Sequence, residues 1–157
     1  MSRYDIAQAN MILGGIPYYM NYFMREKSLA QNIDSLFFHR DAKLGNEYNR
    51  LFASVFSKPE EMMRIVRFLS SRRYGYNRME IVSGTKLANN GDLTKMLQAL
   101  VTSDFIECYV PFGESKRNPH YKLLDPFCLF YLRFVEGQKE MDSSFWMNNV
   151  QSPKINA

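Results

Sequence analysis

The fold is decided by residues 92–124, which read DLTKMLQALVTSDFIECYVPFGESKRNPHYKLL. The beginning of this stretch has apolar side chains at helical spacing, namely Leu93, Met96, Leu97, Leu100 and Val101. The period then changes to two between Phe105 and Val110, which is typical of a β-strand. A polar loop over residues 111–119 follows, and residues 120–124 can return as a partner strand. The stretch therefore predicts a helix, a strand, a loop and a second strand.

A further helix is predicted directly before this stretch. Ser57 and Glu60 have the spacing of a capping box, with Pro59 in the first helical turn. Apolar residues then recur at helical spacing until residues 72–75, whose sequence RRYG ends the helix. We expect this helix to be amphipathic, because its apolar positions form one stripe.

Two more helix starts complete the order of elements. Asn77 and Glu80 predict a capping box at the start of a short helix, and Asp92 is expected to cap the helix that follows. Three helices followed by strand, loop and strand is the order found in a winged helix-turn-helix. Residues 59–125 are therefore expected to form a winged-helix domain.

Short helices are predicted throughout residues 1–58. One helical face carries Ile6, Ala9 and Leu13. Gly14 is expected to stop this helix, because glycine tolerates the left-handed conformation at a helix end. Ser28 and Gln31 predict another capping box. The whole chain is predicted to be mostly α with a small β wing, an α+β fold.

Residues 126–157 are predicted to form an aromatic helix and a tail. The segment from Phe127 to Val135 carries apolar side chains on more than one face, so it must pack against something. Residues 143–157 mix Trp146 with Asn, Ser and Pro and show no period, which predicts a loose tail.

Composition and charge narrow the class of protein. The chain has 157 residues, of which 46% are hydrophobic, so it can bury a core and wholesale disorder is excluded. No apolar run approaches the roughly 18 residues of a membrane span, and the N-terminal residues lack the apolar segment of a signal peptide. We expect a cytoplasmic protein with no membrane partner. The net charge of +4 is spread evenly along the chain and permits an anionic partner without requiring one.

Motifs for catalysis, cofactors and metals are missing from the sequence. Residues 84–86 read GTK, but the glycine frame of a phosphate-binding loop does not surround them. Cys108 and Cys128 lie in apolar stretches without metal-ligand spacing and are expected to be buried thiols. His39 and His120 are isolated from one another. We therefore predict no catalytic residue, no cofactor and no metal site.

DNA binding is the function that the residues favour most. The solvent face of the helix over residues 92–103 presents side chains that can reach base edges, namely Thr94, Lys95, Gln98 and Thr102. Phosphate contacts are predicted for surrounding cations, namely Arg72, Arg73, Arg78, Lys86, Lys116 and Arg117. The helix itself carries one Lys, offset by Asp92, and no Arg, which is a weak charge for DNA binding. A winged helix used as a packing or protein-binding module therefore remains open.

Several motifs resemble a known family when they are taken together and in order. They are GGIPYY at 14–19, SLAQNIDSLFF at 28–38, RMEI at 78–81, LTKML at 93–97, FI at 105–106, YVPFG at 109–113, YKLLDPF at 121–127 and FY at 130–131. The sequence resembles the archaeal-type AAA ATPases, a prokaryotic P-loop family, in the region that follows the nucleotide-binding core. The resemblance extends over nearly the whole chain.

The resemblance implies part of a larger architecture. In that family an ATPase core is followed by a helical lid, a winged helix and a C-terminal domain similar to restriction-type nucleases. Residues 1–58 would then be the lid, 59–125 the winged helix, and 126–157 the truncated start of the last domain. Walker A, Walker B and the nuclease-like carboxylates have no counterpart here, so neither ATP hydrolysis nor DNA cleavage is implied.

Two functions follow as expectations. The first is a non-catalytic, DNA-binding or regulatory winged-helix fragment of such an ATPase, with double-stranded DNA as its partner. The second is an interaction module that docks to itself or to a separately encoded ATPase subunit without binding DNA. Self-association is also expected because the aromatic helix would lack its partner domain.

Overall fold

The computed structural model describes residues 2–138 and 142–149, which are mostly helical with a small three-stranded antiparallel sheet. This confirms the predicted α+β class. The chain divides into two compact units, one formed by Met1–Tyr48 with Phe134–Ala157 and the other by Asn49–Arg133. These limits differ from the domains expected at 1–58, 59–125 and 126–157, which stay predictions.

The first unit contains the short helices expected near the N-terminus. They are α1 (Arg3–Leu13), α2 (Pro17–Met20) and α3 (Leu29–Ile33), the last of which continues as a π-helical turn over Asp34–Phe38. The predicted stop at Gly14 is confirmed, since this residue has φ of 68°. The capping box at α3 is also confirmed, because the Gln31 N–H donates to Ser28 Oγ over 3.2 Å and the Ser28 N–H to Gln31 Oε1 over 2.9 Å.

A last helix of this unit occupies part of the predicted loose tail. Helix α9 covers Phe145–Asn149, and Trp146 is buried. Buried Asp34 accepts the N–H of Trp146 over 2.6 Å and the N–H of Met147 over 3.1 Å. The expectation of a loose tail is therefore wrong for these residues, because a carboxylate far away in sequence caps them. Residues 150–157 lie outside the described part of the chain.

The second unit contains the element order expected of residues 59–125. After α4 (Glu47–Val55), it runs α5 (Pro59–Leu69), β1 (Tyr76–Asn77), α6 (Arg78–Thr85), α7 (Gly91–Thr102), β2 (Ile106–Tyr109) and β3 (His120–Leu123). The three strands pair in the order β1-β3-β2, all antiparallel. Strand β1 was missed by the sequence reasoning because a strand of two residues shows no alternation.

Of the three helix starts predicted in this unit, one is confirmed and two are wrong. At α6 the capping box is confirmed, with the Glu80 N–H donating to Asn77 Oδ1 over 3.0 Å. The box predicted at Ser57 is wrong, because Pro59 is the first helical residue and places Lys58 at the cap. Asp92 is not the cap of α7, because Asn90 accepts the Leu93 N–H over 3.2 Å and Asp92 lies within the first turn.

The segment that follows the sheet buries three of its aromatic side chains. It forms α8 (Pro126–Phe130) and a π-helical turn over Tyr131–Val135. Phe127, Phe130 and Tyr131 are buried within the chain, while Leu129 remains 40% exposed. The requirement that this segment packs against something is therefore met without a second copy, and self-association stays a prediction.

Candidate nucleic-acid interface

Helix α7 presents the four predicted base-contacting side chains to solvent. Its inner face is buried through Leu93, Met96, Leu97 and Leu100. These side chains hold the helix in one rotational position, because turning it would expose them to water. The opposite face leaves four polar side chains exposed, namely Thr94, Lys95, Gln98 and Thr102.

Part of this outer face borders an apolar depression. The shallow hollow has a volume of about 500 Å³ and lies between the end of α4 and the outer face of α7. Val55 and Phe56 line one side, and Lys95, Gln98 and Thr102 line the other. Val55 is 49% exposed although it is apolar. The surface therefore combines groups that suit a nucleic acid with groups that suit a protein.

Arg72 is engaged within the unit rather than free for phosphate. Its Nη2 lies 2.9 and 3.0 Å from the two carboxylate oxygens of Glu80, and its Nε donates to the Gly75 carbonyl over 2.7 Å. The guanidinium also lies 3.8 Å from the ring centroid of Tyr76. A phosphate would have to compete with all three groups, so these contacts give Arg72 a structural role.

Arg78 is tied to the segment that precedes α7. Its Nε donates to Asn89 Oδ1 over 2.7 Å, and its Nη2 donates to the Asn90 carbonyl over 2.9 Å. Asn90 is the residue that caps α7. Arg78 therefore helps to position the start of α7, and any contact that it makes with phosphate would be secondary to this role.

The five remaining predicted cations are exposed. Their side chains make no hydrogen bond or ion pair with the part of the chain that the structure describes, and they are Arg73, Lys86, Lys95, Lys116 and Arg117. Lys86 ends α6 in the left-handed conformation, with φ of 59°. These five side chains can bind an anion without first breaking a contact inside the protein.

The acidic residue on α7 is neutralised by a lysine that sequence reasoning did not single out. Lys58 Nζ lies 2.9 Å from Asp92 Oδ2. The hydrogen bond and charge of Lys58 lower the pKa of Asp92 below its usual range. Asp92 therefore offsets the charge of Lys95 less than the sequence indicated. Lys58 and Asp92 are both exposed, so water screens the interaction between them.

The loop between β2 and β3 carries an aromatic side chain at its tip. Phe112 has an exposed fraction of 108%, as high as a side chain on an isolated peptide. Glu114 of the same loop accepts from Asn118 Nδ2 over 3.2 Å and lies 3.9 Å from His120 Nδ1. Sequence reasoning missed Phe112, although an aromatic residue between Pro111 and Gly113 in a polar loop was a usable signal.

The two cysteines differ in their environments. Cys128 is buried as expected, and burial raises the pKa of its thiol. Cys108 is exposed, so the expectation that it is buried is wrong. The alternating pattern of a strand predicts which face a residue occupies, but not how far the core extends along that face.

Residues 2–138 and 142–149, the part of the chain that the structure describes, contain neither a cluster of metal-ligating side chains nor a membrane-spanning helix. No group of three or more His, Cys, Asp or Glu side chains in this part of the chain could hold a metal ion. Within the same residues, every helix is too short or too polar to cross a membrane.

Comparisons with protein-family models, with curated proteins and with solved structures find no match to this chain. The resemblance to the archaeal-type AAA ATPases therefore stays a prediction from the motifs at residues 14–131.

Proposed function

We propose that residues 59–125 form a winged helix-turn-helix that binds double-stranded DNA, with α7 in the major groove and the loop over residues 111–119 as the wing. The observation that carries the proposal is the exposed polar face of α7 within the order α5, β1, α6, α7, β2, β3. An α-helix fits the width of the major groove, and a two-stranded loop can reach the phosphates beside it.

The side chains on α7 suit the readout of bases. Gln98 can form paired hydrogen bonds with adenine, and Lys95 can donate to guanine. Thr102 can donate or accept a hydrogen bond, whereas the Thr94 hydroxyl already donates to the Asn90 carbonyl over 3.4 Å and is available as an acceptor. We expect this face to supply sequence preference.

Phosphate binding is assigned to the cations that have no partner among the described residues. Arg73, Lys86, Lys116 and Arg117 would neutralise phosphates and release counterions. With Lys95 included, five cations can contribute, and each phosphate contact contributes about −0.9 to the slope of log K against log salt. We therefore expect a slope no steeper than about −4.5. Such a slope corresponds to a moderate dependence on salt.

Duplex binding measured by fluorescence anisotropy tests the proposal. A mixed-sequence duplex is titrated with the wild type and with Lys116→Ala/Arg117→Ala at salt concentrations from about 50 to 200 mM. The double variant is expected to bind more weakly and to reduce the slope by about two. Arg64→Ala is the matched control, because Arg64 is an exposed cation on α5 outside the proposed interface. A wild-type slope near zero would refute DNA binding.

The proposed role is non-catalytic and cytoplasmic. It corresponds to the lid and winged-helix region of an archaeal-type AAA ATPase, in which the chain acts as a DNA-binding or regulatory part. This is supported by the family-like motifs together with the absence of Walker motifs from the sequence.

A second candidate function is protein binding through the hollow beside α7. Val55 and Phe56 give this surface an apolar side, which DNA does not require. The partner would be a second copy of the chain or an ATPase-related protein. Sedimentation of the wild type and of Val55→Ser tests whether this hollow mediates self-association. A dimer that Val55→Ser dissociates, without duplex binding by either protein, would favour this function over the first.

A further inference from the structure

Phe112 is held outward by a turn rather than left on a featureless loop. The Glu114 N–H donates to the Pro111 carbonyl over 3.1 Å, which closes a four-residue turn. Gly113 has φ of 84°, as the third residue of a type II turn requires. Phe112 therefore occupies the corner of this turn, where the side chain points away from the backbone that closes it.

The turn is part of a loop anchored at both ends. Strands β2 and β3 pair up to Tyr109 and His120, which face each other across the base of the loop. The loop also carries Lys116 and Arg117, both exposed, and its carboxylate Glu114 is engaged by Asn118. One fully exposed ring and two available cations are thus carried by the same short anchored loop.

These groups match the chemistry of a duplex at the edge of its minor groove. Lys116 and Arg117 suit two phosphates, whereas a phenyl ring forms no hydrogen bond with a phosphate or a base edge. An apolar ring does fit between base pairs, where side chains of this type unstack a step and kink the duplex. A membrane surface also attracts rings and cations, but the charge on this loop is small for that partner.

We propose that Phe112 inserts between adjacent base pairs from the minor groove and kinks the duplex. This inference rests on the proposed function, in which the same loop is the wing. Pyrimidine–purine steps such as TA are the preferred sites, because they unstack most easily. The wing then reads the deformability of the duplex, while α7 reads base edges.

The experiment uses duplexes that differ only in a central TA or AA step, with dyes at the ends to report bending and 2-aminopurine beside the step to report unstacking. The wild type is expected to bend the TA duplex and to raise the 2-aminopurine fluorescence. Phe112→Ala should abolish both signals and weaken binding roughly tenfold, while the salt slope stays unchanged because no charge is lost. Phe112→Leu should retain most of the bend, since leucine is also an apolar wedge.

Tyr74→Ala is the control for the loss of an exposed aromatic ring. This ring lies outside the loop, so the variant should leave bending unchanged. Equal bending by the wild type and Phe112→Ala would overturn the wedge alone and leave DNA binding intact. Failure of the wild type to bind duplex would overturn the proposed function and the wedge together. Binding to phosphatidylserine vesicles that Phe112→Ala abolishes, with duplex binding unchanged, would assign the ring to a membrane surface instead.

Discussion

Arg72 and Glu80 are joined through a single guanidinium nitrogen, Nη2, which lies 2.9 and 3.0 Å from the two carboxylate oxygens. Glu80 Oε2 also accepts the N–H of Asn77 over 2.8 Å. The pair therefore links the segment after α5 to the start of α6. The ion pair also distinguishes Arg72 from its neighbour Arg73. Arg73 is exposed, and its side chain has no hydrogen bond or ion pair with the described residues.

Two adjacent arginines should give opposite results on substitution. Arg72→Ala is expected to lower the free energy of unfolding by about 1–2 kcal/mol, because it removes a partly exposed ion pair and a cation–π contact. Its effect on duplex affinity, measured under conditions where the variant is folded, should be small. Arg73→Ala should change stability by less than about 0.5 kcal/mol and weaken duplex binding. Urea unfolding and anisotropy measure the two effects, and the reverse pattern would contradict the assignment.

The stability that Glu80 provides should depend on pH. Burial raises the pKa of Glu80, but hydrogen bonds from the Asn77 N–H and Arg72 outweigh it, so the pKa lies below its ordinary value of 4.5. The stabilisation is therefore present above pH 4.5 and is lost as the pH falls through the lower folded-state pKa. Unfolding of the wild type and Glu80→Gln between about pH 7 and pH 3 checks this. The wild type should be the more stable at neutral pH, and the difference should disappear in acid; a difference that grows in acid would contradict the sign.

Gly75 should not tolerate a side chain. A Cβ at this position would collide with the Tyr121 backbone carbonyl, and φ is 69°. Gly75→Ala is expected to lower the free energy of unfolding by more than about 1 kcal/mol, because neither β1 nor β3 can move without breaking their pairing. Gly91→Ala is the matched control, since it has open space and lies at the first position of α7. Thermal unfolding should show that this control is neutral or stabilised, and equal losses for both variants would refute the prediction.

Asp34 should hold α9 in place. Its carboxylate accepts the N–H groups of Trp146 and Met147, so Asp34→Ala leaves two donors without their partner. We expect a loss of about 1–2 kcal/mol, as for other helix caps, and a red shift of the fluorescence of Trp146, the single tryptophan. Asp41→Ala is the control, because Asp41 is an exposed carboxylate of the same unit. An unshifted emission spectrum in Asp34→Ala would show that α9 is held by packing alone.

Local chemistry explains why most helices were predictable. The capping boxes at Ser28 and Asn77 involve residues three positions apart, so their pattern is visible in the sequence. The starts predicted at Ser57 and Asp92 were displaced by one or two residues, because Pro59 is the first helical residue of α5 and Asn90 caps α7. Asn and Asp are preferred at the cap position to a similar degree, so the sequence does not show whether Asn90 or Asp92 caps α7.

The exposed face of α7 was predictable for a related reason. Apolar side chains at helical spacing define the buried face, so Lys95 and Gln98 must lie on the other side. The availability of the cations was not predictable. Arg78 is engaged by residues 11 and 12 positions away, and Asp92 is neutralised by Lys58 across 34 positions.

Periodicity and short-range capping were therefore sufficient to establish a mostly helical chain whose third predicted helix is followed by two strands. The tertiary structure was needed to show which charges remain available to a partner and that Asp34 caps a helix 112 residues away. The physical reason is that backbone conformation depends mainly on neighbours within one helical turn. The partner of a charged or capping side chain depends instead on which distant segments the apolar core brings together.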